Sequence, residues 1–266
     1  MALDTSALKA KLAKFNRVGS NRSESLWRPT EGKTIVRIVP WKDRPEFPFI
    51  ELQFHYLGNK TYLSPTTHGR KDPIAEFAES LMGSRSSEEY QLAKPFLPKM
   101  RTYVPVIVRG EEDKGVRYWA FGKTVYKQLL EMIDDPDIGD ITHPKTGRDI
   151  TVAYVPQDKS DTNFAKTTVM YKPNSTPLSD DADLAKQFLN DQPDVYSLYD
   201  EPSYAELKAV LEAYLDPDAT GPTPPDETSS DTDDSPSVTV SKKTPKAAKE
   251  SVDEALEDFE KAFSDL

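Results

Sequence analysis

The chain has 266 residues, of which 36% are hydrophobic and 22 are proline, so part of it is expected to stay unpacked. It contains no cysteine, which excludes disulfides and thiolate metal sites. No run of about 18 apolar residues is present, and the first residues lack the apolar stretch of a signal peptide. We therefore expect a cytosolic protein that does not span a membrane.

Charge is divided unevenly along the chain, whose net charge is −11. Residues 1–127 carry 22 Lys and Arg against 14 Asp and Glu, a net charge of +8. Residues 128–266 carry 12 against 31, a net charge of −19. This asymmetry predicts a basic binding surface followed by an acidic tail.

The N-terminal segment predicts a short helix over residues 4–16, where apolar residues recur at helical spacing. Its other faces carry Lys9, Lys11 and Lys14. A helix of this length is marginal alone, so it either packs on its own domain or docks on a neighbouring subunit. We treat residues 1–20 as a separate arm, with these three lysines as candidate protein contacts.

The central part, residues 21–215, predicts short strands mixed with helices. Strands are expected over residues 34–39, 49–57, 61–63, 102–109, 116–121, 150–155 and 167–171. Helices are expected over residues 73–82, 87–93, 124–133, 184–190 and 203–215. Because strands and helices do not alternate regularly, the pattern favours an α+β domain with an OB-fold-like, five-stranded β-barrel core and peripheral helices.

The C-terminal part changes composition after Asp216. Residues 216–240 have almost no large apolar side chain, which predicts disorder. Further on, one helical face collects apolar residues and the opposite face is acidic. The apolar residues are Val252, Leu256, Phe259, Phe263 and Leu266, of which the last four are the candidate partner contacts. Such a segment either docks on its own core or folds on a partner, and the long linker favours a partner. Residues 216–266 are therefore predicted to be an acidic, partner-binding tail.

Aromatic and basic residues alternate along the predicted strands. Cations can follow a nucleic-acid backbone while flat rings stack under unpaired bases, each stacked base contributing about 1–3 kcal/mol. The alternative is that the rings are ordinary core residues. Neighbouring strand residues face opposite ways, so over residues 118–121 one face can bind bases while the other packs in the core. The candidate contacts are Arg37, Trp41, Tyr62, Tyr90, Lys99, Arg101, Tyr103, Arg117, Trp119, Phe121 and Lys123.

Motifs for catalysis are weak. Gly122 and Lys123 lie between a predicted strand and helix, but Arg117 stands where a phosphate-binding loop needs glycine. The carboxylates of residues 134–140 lack the spacing of a calcium loop. The three histidines lie far apart in sequence. We expect no enzyme, cofactor or metal; a metal-dependent nuclease is the weaker alternative.

Several short stretches, taken in order, resemble the single-stranded DNA-binding (helix-destabilising) proteins of T-even-type bacteriophages. They are residues 12–16, 27–40, 49–55, 67–69, 89–90, 99–108, 121–123 and the end Asp265-Leu266. The resemblance implies an arm for cooperative binding between subunits, an OB-fold core that binds the strand, and an acidic arm that docks phage replication, recombination and repair proteins. It implies cleft cations at Arg37, Lys99, Arg101 and Lys123, and aromatic contacts at Tyr62, Tyr90, Tyr103, Trp119 and Phe164.

The resemblance also raises the question of a metal. The family's prototype holds a structural zinc with one histidine and three cysteines. His55 matches the histidine, whereas Ser64, Asp72 and Ala75 stand roughly where the cysteines would be. We expect that this chain holds no zinc and that packing stabilises this part instead. The expected place of action is the cytoplasm of an infected bacterium, and the main alternative is a phage interaction scaffold that binds no DNA.

Overall fold

The computed structural model describes residues 24–83 and 86–215. These residues form two compact units. The first unit holds residues 24–51 and 101–199, and the second holds residues 52–83, 86–100 and 200–215. The predicted arm (residues 1–20) and the predicted tail (residues 216–266) lie outside the described residues.

The described chain is a mixed α+β protein with an eight-stranded open sheet and five α-helices of seven or more residues. Strands β1 to β8 are Leu26–Trp27, Gly32–Ile38, Ile50–Leu57, Lys60–Leu63, Lys99–Val108, Arg117–Phe121, Arg148–Val155 and Lys166–Ser175. Helices α1 to α5 are Pro73–Ser80, Ser87–Ala93, Lys123–Asp134, Ala182–Asn190 and Tyr204–Leu215. The α+β class is confirmed, whereas the five-stranded barrel stays a prediction. No helix in the described ranges is long and apolar enough to cross a membrane.

The sheet of the first unit follows the order β1-β6-β5-β2-β7-β8. β1 runs parallel to β6, and the other neighbours along this path are antiparallel. On β6, Trp119 lies opposite Val104 and Phe121 lies opposite Thr102. Trp119 and Phe121 therefore share one face of the sheet, where they join the apolar core together with Trp27.

Both faces of β5 and β6 are covered. Helix α3 contributes Val125 and Leu129, one helical turn apart, to the core that contains Trp119. On the other face, Ile107 packs in a second cluster that includes Phe188 of α4. The hydroxyl of Tyr118, which lies on β6, donates to the backbone oxygen of Pro193 at 3.0 Å. These two strands are thus interior strands.

The second unit is built on the β3–β4 hairpin and helices α1, α2 and α5. Gly58 forms the hairpin turn with φ 57°, a left-handed conformation that suits glycine. Asp72 caps α1 and Pro73 is its first residue, which is the favoured arrangement at a helix start. Phe77 of α1 packs edge-on against Phe96 with ring centroids 5.1 Å apart, and α5 completes this core.

Candidate nucleic-acid interface

Three of the aromatic residues predicted to contact DNA lie in the core of the first unit. Trp119 is 1% exposed and Phe121 is fully buried. The Trp119 ring contacts the rings of Trp27 and Phe121, with centroid distances of 5.6 and 4.7 Å. Tyr103 is also buried, and its hydroxyl is hydrogen-bonded to that of Tyr199 at 2.5 Å. A ring must reach solvent to stack under a base. In this structure these three rings therefore pack in the core and do not contact DNA.

Two predicted cationic contacts are engaged inside the first unit. Arg37 is fully buried, and its Nη2 donates to the backbone oxygen of His143 at 2.7 Å. Burial lowers the pKa of Arg37 to about 10. Arg117 is also buried, and its Nη2 donates to Glu111 at 2.6 Å. This hydrogen bond from Arg117 holds the pKa of Glu111 below its ordinary value. Both arginines therefore fix loops within the unit.

Two other predicted cations, Arg101 and Lys123, come together at the start of α3. Gly122 is the N-cap of this helix and provides no side-chain cap, and the first turn has no acidic residue. A Cβ atom at Gly122 would lie 3.3 Å from Nη1 of Arg101, so the guanidinium lies against this glycine. Lys123 is the exposed first residue of the helix. Two cations beside the N-terminus of a helix suit a phosphate oxygen.

A group of rings and one cation surrounds Trp41, and we call Trp41, Arg44, Phe47 and Tyr196 the Trp41 cluster. The guanidinium carbon of Arg44 lies 5.9 Å from the Trp41 ring centroid and 5.5 Å from that of Phe47. Tyr196 is 40% exposed, and its ring lies 6.4 Å from that of Trp41. Trp41 itself, a predicted DNA contact, is only 7% exposed and therefore supports this cluster from below its surface. Sequence patterns identified only Trp41, because its neighbours in space do not alternate along one strand.

The Trp41 cluster is anchored by a buried glutamine. Gln192 accepts a hydrogen bond from the backbone nitrogen of Lys42 at 3.0 Å and donates to the backbone oxygen of Pro40 at 2.8 Å. The ammonium of Lys42 donates in turn to the backbone oxygen of Gln192 at 2.9 Å. These bonds join segments about 150 positions apart in the sequence. They fix the loop that carries Trp41 and Arg44, so the exposed surface is held in place.

Exposed rings also flank the last strand of the first unit. Phe164, a predicted contact, is 40% exposed just before β8. Tyr171 on β8 is exposed, and the guanidinium carbon of Arg148 lies 5.9 Å from its ring centroid. Lys166 and Lys172 on the same strand are exposed. Rings beside cations are the combination that single-stranded nucleic acids need.

The second unit holds the remaining described candidates, which do not form one cluster. Tyr62 is partly buried opposite His55 on the hairpin, and burial raises the pKa of Tyr62. Tyr90 on α2 is 46% exposed. The exposed Lys99 places its ammonium 5.8 Å from the ring centroid of Tyr56, a residue that the sequence patterns missed. Tyr90 and Lys99 are thus accessible within this unit.

The predicted protein contacts of the arm and tail are outside the described residues. They are Lys9, Lys11, Lys14, Leu256, Phe259, Phe263 and Leu266.

The residues at the position where the resemblance implies a zinc site do not fit a metal. Asp72 accepts hydrogen bonds on both carboxylate oxygens, from His55 Nε2 at 2.8 Å, from Ser64 Oγ, and from two backbone N–H groups. Ala75 offers no side-chain donor atom. Ser64 supplies a hydroxyl where zinc would take a thiolate. In the part of the chain that the structure describes, no three His, Cys, Asp or Glu residues are grouped as a metal site requires.

Comparison with known proteins identifies the family. No curated protein sequence matches the chain. A family model described as "gp32 DNA binding protein like" matches residues 30–215, which is most of the chain and covers nearly all of both compact units. The chain therefore belongs to the gp32-like DNA-binding protein family.

Proposed function

We propose that the chain is a sequence-tolerant single-stranded DNA-binding protein with no enzymatic activity. The observation that carries this proposal is the match over residues 30–215 to a family described by DNA binding. The first unit supports it, because rings and cations are paired on its surface. Proteins that bind single strands without sequence preference combine these two features, often on an OB-fold, which we also infer for this core.

Phosphate contacts are assigned to the start of α3. Arg101 and Lys123 lie at the first turn of this helix, so two cationic side chains stand beside the positive end of the helix dipole. Arg37 and Arg117 are excluded from this role by their burial. A matched control lies on the same helix: Lys127 is exposed and pairs with Glu131 at 3.6 Å. Replacing Lys127 removes the same charge without removing the phosphate contact.

Base contacts are assigned to exposed rings. Tyr196 of the Trp41 cluster and Phe164 are both 40% exposed. The guanidinium of Arg44, held against two rings, offers a flat cationic surface for stacking. Asp43 and Glu46 flank Arg44 in sequence and are exposed, so the cluster is not uniformly basic. We therefore expect it to contribute stacking more than general electrostatic attraction.

The proposal is tested by fluorescence anisotropy with a 5′-labelled oligo-dT and a duplex of equal length. We expect saturable binding to the single strand and much weaker binding to the duplex. Equal affinity for both would contradict single-strand binding. A labelled oligonucleotide is the better reporter, because all three tryptophans are buried, Trp27 and Trp119 against each other.

The same samples distinguish this function from two alternative functions. A phage interaction scaffold would leave the anisotropy of oligo-dT unchanged at every protein concentration. A metal-dependent nuclease would shorten the labelled strand when Mg²⁺ is added, which gel electrophoresis detects. We expect binding and an intact strand in Mg²⁺.

The arm and the tail carry the rest of the proposed role, in phage DNA replication, recombination and repair within the infected bacterial cytoplasm. Residues 1–20 are basic and amphipathic, so deleting them should reduce cooperativity on long strands but preserve affinity for an oligonucleotide that occupies one subunit. Equal cooperativity after deletion would refute self-association through the arm.

The acidic tail is proposed to recruit phage replication and recombination proteins and to compete with DNA. Residues 216–266 carry 14 acidic and 5 basic residues, so repulsion of phosphates is expected. Deleting residues 217–266 should tighten binding to single strands. Unchanged affinity at low salt would show that the tail does not compete.

A further inference from the structure

A buried polar cluster occupies the place where the resemblance to T-even-type phage proteins implies a zinc site. His55 and Ser64 are fully buried and Asp72 is 2% exposed. His55 belongs to β3, Ser64 follows β4, and Asp72 is the N-cap of α1. Three consecutive elements of the second unit therefore meet at one carboxylate.

The hydrogen-bond directions in this cluster are determined by its chemistry. Asp72 Oδ1 accepts from the backbone N–H groups of Ile74 and Ala75, at 2.9 and 3.2 Å. Asp72 Oδ2 accepts from Nε2–H of His55 at 2.8 Å and from the hydroxyl of Ser64. Because the Ser64 hydroxyl proton is used there, the hydroxyl of Thr66 donates to Ser64 Oγ at 2.7 Å. The carboxylate thus accepts four hydrogen bonds.

We infer that His55, Ser64 and Asp72 form a metal-independent clasp that holds the β3–β4 hairpin to the start of α1. A structural metal joins chain segments through several ligands, and this carboxylate joins the same kind of segments through several hydrogen bonds. Buried carboxylates are costly when they lose a partner, so the cluster favours one arrangement of hairpin and helix. The inference does not depend on whether the protein binds DNA.

The cluster also explains why a metal is not needed at this position. A cation would have to displace His55 and Ser64 from Asp72 Oδ2, since both carboxylate oxygens already accept two hydrogen bonds each. The chain supplies no cysteine to compensate for that loss. The hydrogen bonds and the metal would therefore compete for the same atoms, and the donor set present favours the hydrogen bonds.

The substitution Asp72→Asn tests the clasp without removing the helix cap. Asparagine is as good an N-cap as aspartate, so Oδ1 can keep its two backbone hydrogen bonds. The amide nitrogen that replaces Oδ2 is a donor, and it would face the donors of His55 and Ser64. Asp181→Asn is the matched control, because Asp181 caps α4 by accepting from the backbone of Asp183 and Leu184 and is exposed.

The test is hydrogen–deuterium exchange of the full-length protein, read by mass spectrometry in peptides that cover residues 52–64 and 72–83. We expect Asp72→Asn to speed exchange there by about tenfold or more, since breaking a buried pair exposes both elements to local opening. Asp181→Asn should leave these peptides unchanged. Protection in Asp72→Asn equal to that of the unmodified protein would overturn the clasp.

A second experiment tests directly whether the clasp depends on a metal. The unmodified protein is incubated with 1,10-phenanthroline, and its zinc content is measured by elemental analysis. We expect substoichiometric zinc and unchanged protection of both peptides. Stoichiometric zinc, or loss of protection with the chelator, would overturn metal independence. If Asp72→Asn does not fold, Ser64→Ala serves instead: faster exchange in the same peptides supports the clasp, and unchanged exchange refutes it.

Discussion

Replacing Trp119 with alanine distinguishes a core residue from a DNA contact. The ring is 1% exposed and packs against Trp27 and Phe121 in the core of the first unit. Removing a buried aromatic side chain typically costs about 3–5 kcal/mol of the free energy of unfolding. A typical domain has about 5–15 kcal/mol in total, so we expect Trp119→Ala to be severely destabilised.

Urea denaturation followed by far-UV circular dichroism measures this loss without depending on tryptophan fluorescence. With an m-value of about 2–3 kcal/mol per M, the midpoint should fall by about 1–2.5 M. Tyr171→Ala is the control, because this ring is exposed beside Arg148 and its loss should cost less than about 1 kcal/mol. A variant Trp119→Ala with an unchanged midpoint but tenfold weaker DNA binding would refute burial as the role of this ring.

Three further outcomes are expected. Replacing both Arg101 and Lys123 with alanine should make the slope of log affinity against log salt less steep by about 1.4, at about 0.7 per phosphate contact; Lys127→Ala should leave the slope unchanged. Arg44→Ala should weaken oligo-dT binding, by about fivefold given a loss of about 1 kcal/mol, with an unchanged urea midpoint; equal affinity would remove the Trp41 cluster from the interface. For Asp72, burial raises the pKa, but hydrogen bonds from His55 and Ser64 outweigh burial and hold it below the ordinary value. This group therefore stabilises the folded state above its unfolded pKa of about 3.9, and the contribution is lost as pH falls further through the folded pKa. Hydrogen exchange at residues 72–83 should accelerate as pH falls below about 4, after correction for intrinsic rates, and this acceleration should be absent in Asp72→Asn.

Local sequence signals predicted most of the secondary structure. The Asp72-Pro73 pair predicted the start of α1, and the prediction for residues 87–93 coincides with α2. Alternating apolar residues predicted β2 through β8 with boundary errors of a few residues. β1 was missed because it has only two residues, Leu26 and Trp27, whose pairing depends on the distant strand β6. Short-range patterns hold no information about such a partner.

The direction of the side chains was harder to predict than the elements that carry them. Alternation separates a buried face from an exposed face only when one face meets solvent. On β6, both Tyr118 and Trp119 are buried, so the pattern could not show which ring is accessible. Arg37 is likewise covered by the loop that carries His143, 106 positions away. Burial by distant segments therefore decided which predicted contacts reach the surface.

The salt dependence of single-strand affinity tests the central claim most directly. If about five phosphates are neutralised, the affinity of the full-length protein for labelled oligo-dT should fall with a log–log slope near −3.5, while duplex of equal length binds more weakly at every salt concentration. An affinity that does not change between low and physiological salt, or equal affinity for duplex and single strand, would contradict the account.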